Sequence, residues 1–384
     1  MITMRTAFTG EIDDPDKAAA DILGQLGLER PLLRHSVGLI HCYEDFVSSG
    51  AARAVCAALP FEVFGCVALG SAVRGAAGML LLTITVLSSD EVVFASGVSD
   101  PLDSGRDNAL SDLYARLLAE LPGKPSMCLL FAPFHLPYTG DVLVRKLHRL
   151  AGDVPFFGMR SIDEMSDHSC AFTLHNGEEQ RDAVVLVALS GAAEPVFMLK
   201  NVYGARTFAP EATITAAEGQ FLMGVNGIPA LEYFSSLGMV KNGELQGKEG
   251  LCFVVDIPGG GNVARIYEQT TPRGEIRCSG YMPTGAGFRL SIIDPEQILS
   301  SAREIAAEAA GLARGKNLLI ISCAVRNWVL GIHELAEMDI MAECLGQDIP
   351  YHFAYSGGEI CPVRQAPGGW LNQFHNVTLV MCIL

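Results

Sequence analysis

One segment is written into this chain three times, and no other feature constrains the fold as much. Each copy runs helix, buried strand, loop, helix, short strand, turn and second buried strand. The first copy opens a helix at Asp14-Pro15 and places strands at 36–42, 61–66 and 78–87. The second has a helix over 107–121 and strands at 126–132, 155–159 and 182–189. The third opens at Asp294-Pro295 and places strands at 317–323, 350–355 and 376–384. An acid before proline is a helix start, with the carboxylate capping free amides and proline fitting the first helical position. From that start to the first strand is 22 residues in copy one (14 to 36) and 23 in copy three (294 to 317).

The strands are continuous apolar runs, as expected when both faces of a sheet are covered. Alternation of helix and buried strand predicts an α/β fold: layered mixed sheets covered by helices, built from internally duplicated helix-strand-helix-strand units. Stretches 93–97 and 195–199 follow the closing strands of copies one and two and read as hairpin returns onto them. Residues 201–293 differ from the repeats. Segments 212–217 and 221–225 read as a hairpin, and a helix follows Pro229. The expected division is two domains, 1–203 holding two copies and 204–384 holding the insert and the third, with the boundary near 201–210.

Nearly half the residues are apolar and 18% are charged, enough for a large core, and the net charge is −16. So acidic a surface repels phosphate backbones, which argues against a nucleic-acid partner, and it gains nothing from an anionic membrane. No apolar run reaches the 18–20 residues or so of a membrane span. The first ten residues lack the apolar stretch of a secretory signal, so a cytoplasmic location is expected. The 11 cysteines include no C-x-x-C pair, so neither zinc nor an iron–sulfur cluster is expected, nor any other cofactor; most read as reduced core thiols.

Only the third copy carries polar residues in its turn, Tyr355-Ser356-Gly357-Gly358-Glu359-Ile360-Cys361-Pro362. Glu359 follows two glycines that allow a tight turn and close approach of a ligand. It could meet a ligand ammonium or act as an acid or base; the plainer alternative is an internal arginine partner or backbone amides. Tyr355 and Ser356 precede the glycines as candidate pocket lining. Arg326 stands just past a buried strand, where a guanidinium can grip a carboxylate, or else form an internal salt bridge, Glu359 being one candidate partner. Trp328 follows, able to stack on a ligand or simply to pack. Cys323 and Cys361 are candidate nucleophiles if a cation or histidine lowers their pKa. Cys361, before proline, reads as the more exposed, and His333, His352 and His375 lie in the same copy. His352 reads as a core residue, and His375, with Asn372 and Asn376, as turn chemistry or part of a site. The glycine turns at 226–229, 259–262 and 284–287 lack the lysine and spacing of a phosphate loop.

The order Val225-Asn226-Gly227-Ile228-Pro229-Ala230, Ser322-Cys323-Ala324-Val325-Arg326, Gly357-Gly358-Glu359-Ile360-Cys361-Pro362 and His375-Asn376-Val377-Thr378 resembles the FIST family of bacterial and archaeal sensory modules. The resemblance covers most of the chain as an N-terminal and then a C-terminal FIST domain, and is strongest over 202–384. It implies a non-catalytic small-ligand-binding protein of bacterial signal transduction. Arg326 and Glu359 would suit an amino acid or similar metabolite, and a separate signalling output protein and a homo-oligomer are conceivable partners. The alternative is a cytosolic enzyme with Cys361 or Cys323 as nucleophile beside a histidine.

Overall fold

A computed structural model describes residues 1–102, 108–165, 167–203, 207, 209–246, 250–365 and 368–384. The expected helix start at Asp107, and boundary positions 204–206 and 208, lie outside the described residues.

Three six-stranded sheets share one strand order. In the first, Thr3–Thr9, Leu82–Ser89, His35–Cys42, Val63–Val67, Thr173–His175 and Glu178–Gln180 lie side by side. The second runs Val93–Val98, Val185–Ser190, Met127–Ala132, Phe156–Arg160, Glu359–Arg364 and Trp370–His375. The third runs Val196–Asn201, Thr378–Ile383, Leu318–Cys323, Tyr351–Ser356, Ser71–Val73 and Ala76–Gly78. The third and fourth strands of each are parallel and every other neighbouring pair is antiparallel.

Each sheet ends in a hairpin from a different part of the chain: the first takes 173–180, the second 359–375 and the third 71–78. The stretches expected to fold back as hairpin returns also cross over. Val93–Val98 pairs with Val185–Ser190, and Val196–Asn201 with Thr378–Ile383. A strand whose faces are both to be covered gains as much from a neighbouring sheet as from its own predecessor, so sequence adjacency does not decide its partner. The sheets consequently do not follow a division at residue 203.

Helices Pro15–Leu26, Ala109–Glu120 and Pro295–Leu312 cover the outer faces. Asp14 caps Lys17 N and Asp294 caps Glu296 N, each before proline as expected. The inner faces meet in a shared core that includes Leu39, Phe64, Leu129, Phe131, Phe157 and Ile321. Strands covered on both sides explain the unbroken apolar runs. No helix among the described residues is long and apolar enough to cross a membrane.

The insert has a core of its own around Phe234, Phe253 and Phe288. Its strands form a seven-stranded sheet that closes on itself, because Ala212–Glu218 pairs with both Gly287–Ile292 and Phe221–Val225. This closed sheet leans on the second third of the chain through buried Arg265, which pairs with Asp141. Asp141 also accepts from Tyr281 N at 2.8 Å.

Candidate functional site

Parallel pairing sets Cys323 beside Ser356, and the turn after Ser356 is built for glycine. A Cβ on Gly357 would lie 2.5 Å from the Ser161 carbonyl oxygen. Gly358 has φ 138°, and a Cβ there would run into the Phe374 ring. The chain thus passes through a gap too narrow for any side chain, in a conformation L-residues avoid.

Glu359 is fully buried behind this turn. Its carboxylate accepts from Ser356 Oγ at 2.5 Å, Thr378 Oγ1 at 2.7 Å and Thr378 N at 3.2 Å. Burial nevertheless pushes its carboxyl up to about 7, outweighing these hydrogen bonds. Arg326 does not meet it. Residues 324–330 are helical rather than loop, and the turn of that helix carries the guanidinium into the interior. There, fully buried, it donates to Glu337 Oε1 at 2.7 and 3.1 Å, to Ser301 Oγ at 3.1 Å and to the Ile298 carbonyl. Glu337 is also held by Ser322 Oγ at 3.0 Å. The expected ligand-gripping pair of Arg326 and Glu359 is therefore two separate buried groups, each held by its own neighbours, with the Nη1 of Arg326 left without a hydrogen-bond partner.

The other sequence-selected residues divide the same way. Tyr355 is buried, its hydroxyl donating to the Glu334 carbonyl at 3.3 Å. His375 is buried against the Cys361 carbonyl at 3.1 Å, and burial pulls it down to about 4. Cys361 is no more exposed than Cys323, at 0% and 2%. Burial pushes both thiols up, the reverse of what a nucleophile needs, so the geometry does not favour the cysteine-enzyme alternative. His352 is a core residue hydrogen-bonded to His41 Nδ1 at 2.9 Å and Thr85 Oγ1 at 2.6 Å.

Cys323, Ser356 and Gly357 line a cavity of about 420 Å³, and so does Trp328. Its opposite wall comes from parts of the chain where the sequence offered no candidate. Phe134 and Arg160 come from the second sheet's strand ends, and Glu268 and Arg277 from the insert. His168 lies on a loop drawn together by buried Asp163, which accepts from Cys170 N at 2.6 Å, Met165 N at 3.1 Å and His168 Nδ1 at 3.1 Å. That loop holds His168 at φ 52°, an unfavourable conformation for a histidine. The His168 ring lies 4.3 Å from Phe134, and it is nearly parallel to Trp328 at 6.5 Å. A second cavity, of about 590 Å³, shares Phe134, Arg160, Glu268 and Arg277 with the first and extends to Arg145 and Tyr281.

Strand register gives Arg160 a meaning the sequence did not show. Val67, Arg160 and Ser356 occupy the same position of the three sheets, opposite Cys42, Ala132 and Cys323. The available signal was an apolar run, 155–159, ending on a charge.

The FIST N domain family model matches residues 36–228 and the FIST C domain model residues 230–362. The chain belongs to the FIST family, whose domains are sensory domains of signal transduction. No curated protein matches it. Among solved structures it is similar to cyanuric acid hydrolase from A. caulinodans, with TM-score 0.36 and 9% identity over 100% of this chain and 98% of that one. Phosphoribosylformylglycinamidine synthase II from Thermotoga maritima gives TM-score 0.20 and 11% identity over 100% and 71%.

Proposed function

We propose that this protein is a cytoplasmic sensor that binds a small metabolite carrying both charge signs, an amino acid being the simplest, and reports through a separate output protein. The observation that carries the reading is the composition of the 420 Å³ cavity. Arg160 and Arg277 supply positive charge, Glu268 supplies negative charge, and Phe134 and Trp328 supply apolar surface. Ligand sites typically combine this size of enclosure with a few convergent polar groups. In this reading Arg160 takes the carboxylate grip first sought in Arg326, and Glu268, which also pairs with Arg277, is the acidic group nearest a ligand ammonium. Calorimetric titration with the common amino acids tests the proposal. Saturable heat is expected from at least one, weakened in Trp328→Ala; a panel with no saturable member ends the reading.

A further inference from the structure

Three arginines are buried among the described residues: Arg160, Arg265 and Arg326. Arg265 is paired with Asp141 and Arg326 with Glu337. Arg160 is 8% exposed and has no carboxylate within ion-pair distance among the described residues. Its Nη2 donates to the Phe134 carbonyl, and its Nε has no partner. The guanidinium lies over the Phe134 ring at 4.6 Å. Cation–π attraction of this kind offsets only part of what a charge loses on leaving water. Burial accordingly draws Arg160 down to about 10, against the pull of Glu268 and Asp141. Arg160 lines both cavities, so its missing partner has room to arrive from outside.

The neighbourhood narrows what that partner is. Arg277 is already paired with Glu268 at 2.9 Å, which leaves Arg160 as the one unmatched buried arginine among the described residues. One cation suits a monoanion, and a guanidinium fork suits the two oxygens of a carboxylate. From Arg160 the wall continues through Phe134 and His168 to Trp328, whose indole is 47% exposed. We infer that Arg160 is the anchor for the ligand's carboxylate, and that the ligand class is a ring-bearing monocarboxylate whose ring lies along Phe134, His168 and Trp328. The inference rests on the ligand-site reading of the cavity and specifies it.

The chain has two tryptophans, so Trp370→Phe leaves Trp328 as the sole indole reporter at the cavity. In that background the probes are 3-phenylpropionate, its neutral amide 3-phenylpropanamide, and phenyl phosphate. A charge-assisted hydrogen bond predicts the acid to bind at least about tenfold tighter than the amide. Arg160→Met is expected to erase that difference while the protein stays folded, since it removes a buried charge with no counter-charge; Arg160→Lys is expected to restore part of it. Equal affinity of acid and amide in the Arg160 protein overturns the proposal, as does an acid preference that survives Arg160→Met. Tightest binding by phenyl phosphate overturns the carboxylate class. If no probe binds, the anchor falls. The amino-acid titration then separates the two ideas, because saturable heat there leaves the cavity reading standing without it.

Discussion

Arg326 and Arg160 are both buried arginines beside strand ends, and they differ in one respect. Arg326 meets Glu337 inside the fold, whereas Arg160 faces open volume with no carboxylate within ion-pair distance among the described residues. Burial alone therefore does not separate the two; the counter-charge does, and in the proposed reading the ligand supplies the one Arg160 lacks. The contrast breaks if removing the two side chains has the same effect on stability. Arg326→Met leaves Glu337 buried without a counter-charge, and a lone buried charge costs about 3–5 kcal/mol. Arg160→Met leaves no charge behind, so stability should hold or rise by about 1 kcal/mol. Urea denaturation of the two variants checks the difference. Equal losses would remove the distinction. Adding Glu337→Met to Arg326→Met should recover most of the loss, which ties it to the stranded carboxylate.

The sequence made the buried strands and the two proline-marked helix starts legible, because each is a local pattern of a few residues. Strand exchange was not legible, since residues 93–98 and 196–201 carry nothing that distinguishes a neighbouring sheet from their own. At the site, the Gly357-Gly358 turn was visible as a constrained passage, and Ser356 and Cys323 do reach the cavity. Of the two readings of Arg326 the structure forms the internal salt bridge, but with Glu337 rather than Glu359, because the chain after Cys323 coils at once into a helix and Glu337 lies beyond the next turn. Arg160 was passed over because its significance depends on register with Ser356 and on what is absent around it, and neither is a local property.

Acidity sharpens the same contrast between groups the fold satisfies and groups it strains. Burial holds His41, His352 and His375 below the ordinary 6.5, His352 to about 3 and His375 to about 4. Below pH 6.5 the unfolded chain takes up protons that these folded rings refuse. The stability they contribute above that pH is lost as pH falls, by about 1.4 kcal/mol per pH unit for each ring. Glu359 works the other way. Its folded carboxyl, raised from 4.5 to about 7, keeps a proton the unfolded chain has released. That contribution is present below about pH 4.5 and lost as pH rises through about 7. Glu359→Gln removes the opposing slope. Between pH 6.5 and 4.5 its unfolding free energy should fall more steeply than that of the unsubstituted protein, by about 1.4 kcal/mol per pH unit. Parallel curves would mean that Glu359 is ionised throughout.

The smallest effect on stability is expected at Trp328, and it separates wall from scaffold. The indole is 47% exposed, and its ring contact with His168 is a wide 6.5 Å. Trp328→Ala should leave the unfolding free energy within about 0.5 kcal/mol, as for other exposed positions away from packed features. If the indole packs against a bound ring, the same change should weaken 3-phenylpropionate by about two- to tenfold, the range expected of one aromatic contact. Calorimetry gives the affinity where the fluorescent reporter has been removed. A large loss of stability would make Trp328 part of the scaffold. Unchanged stability with unchanged affinity would move the ligand's ring off this wall, toward the second cavity on the far side of Arg160.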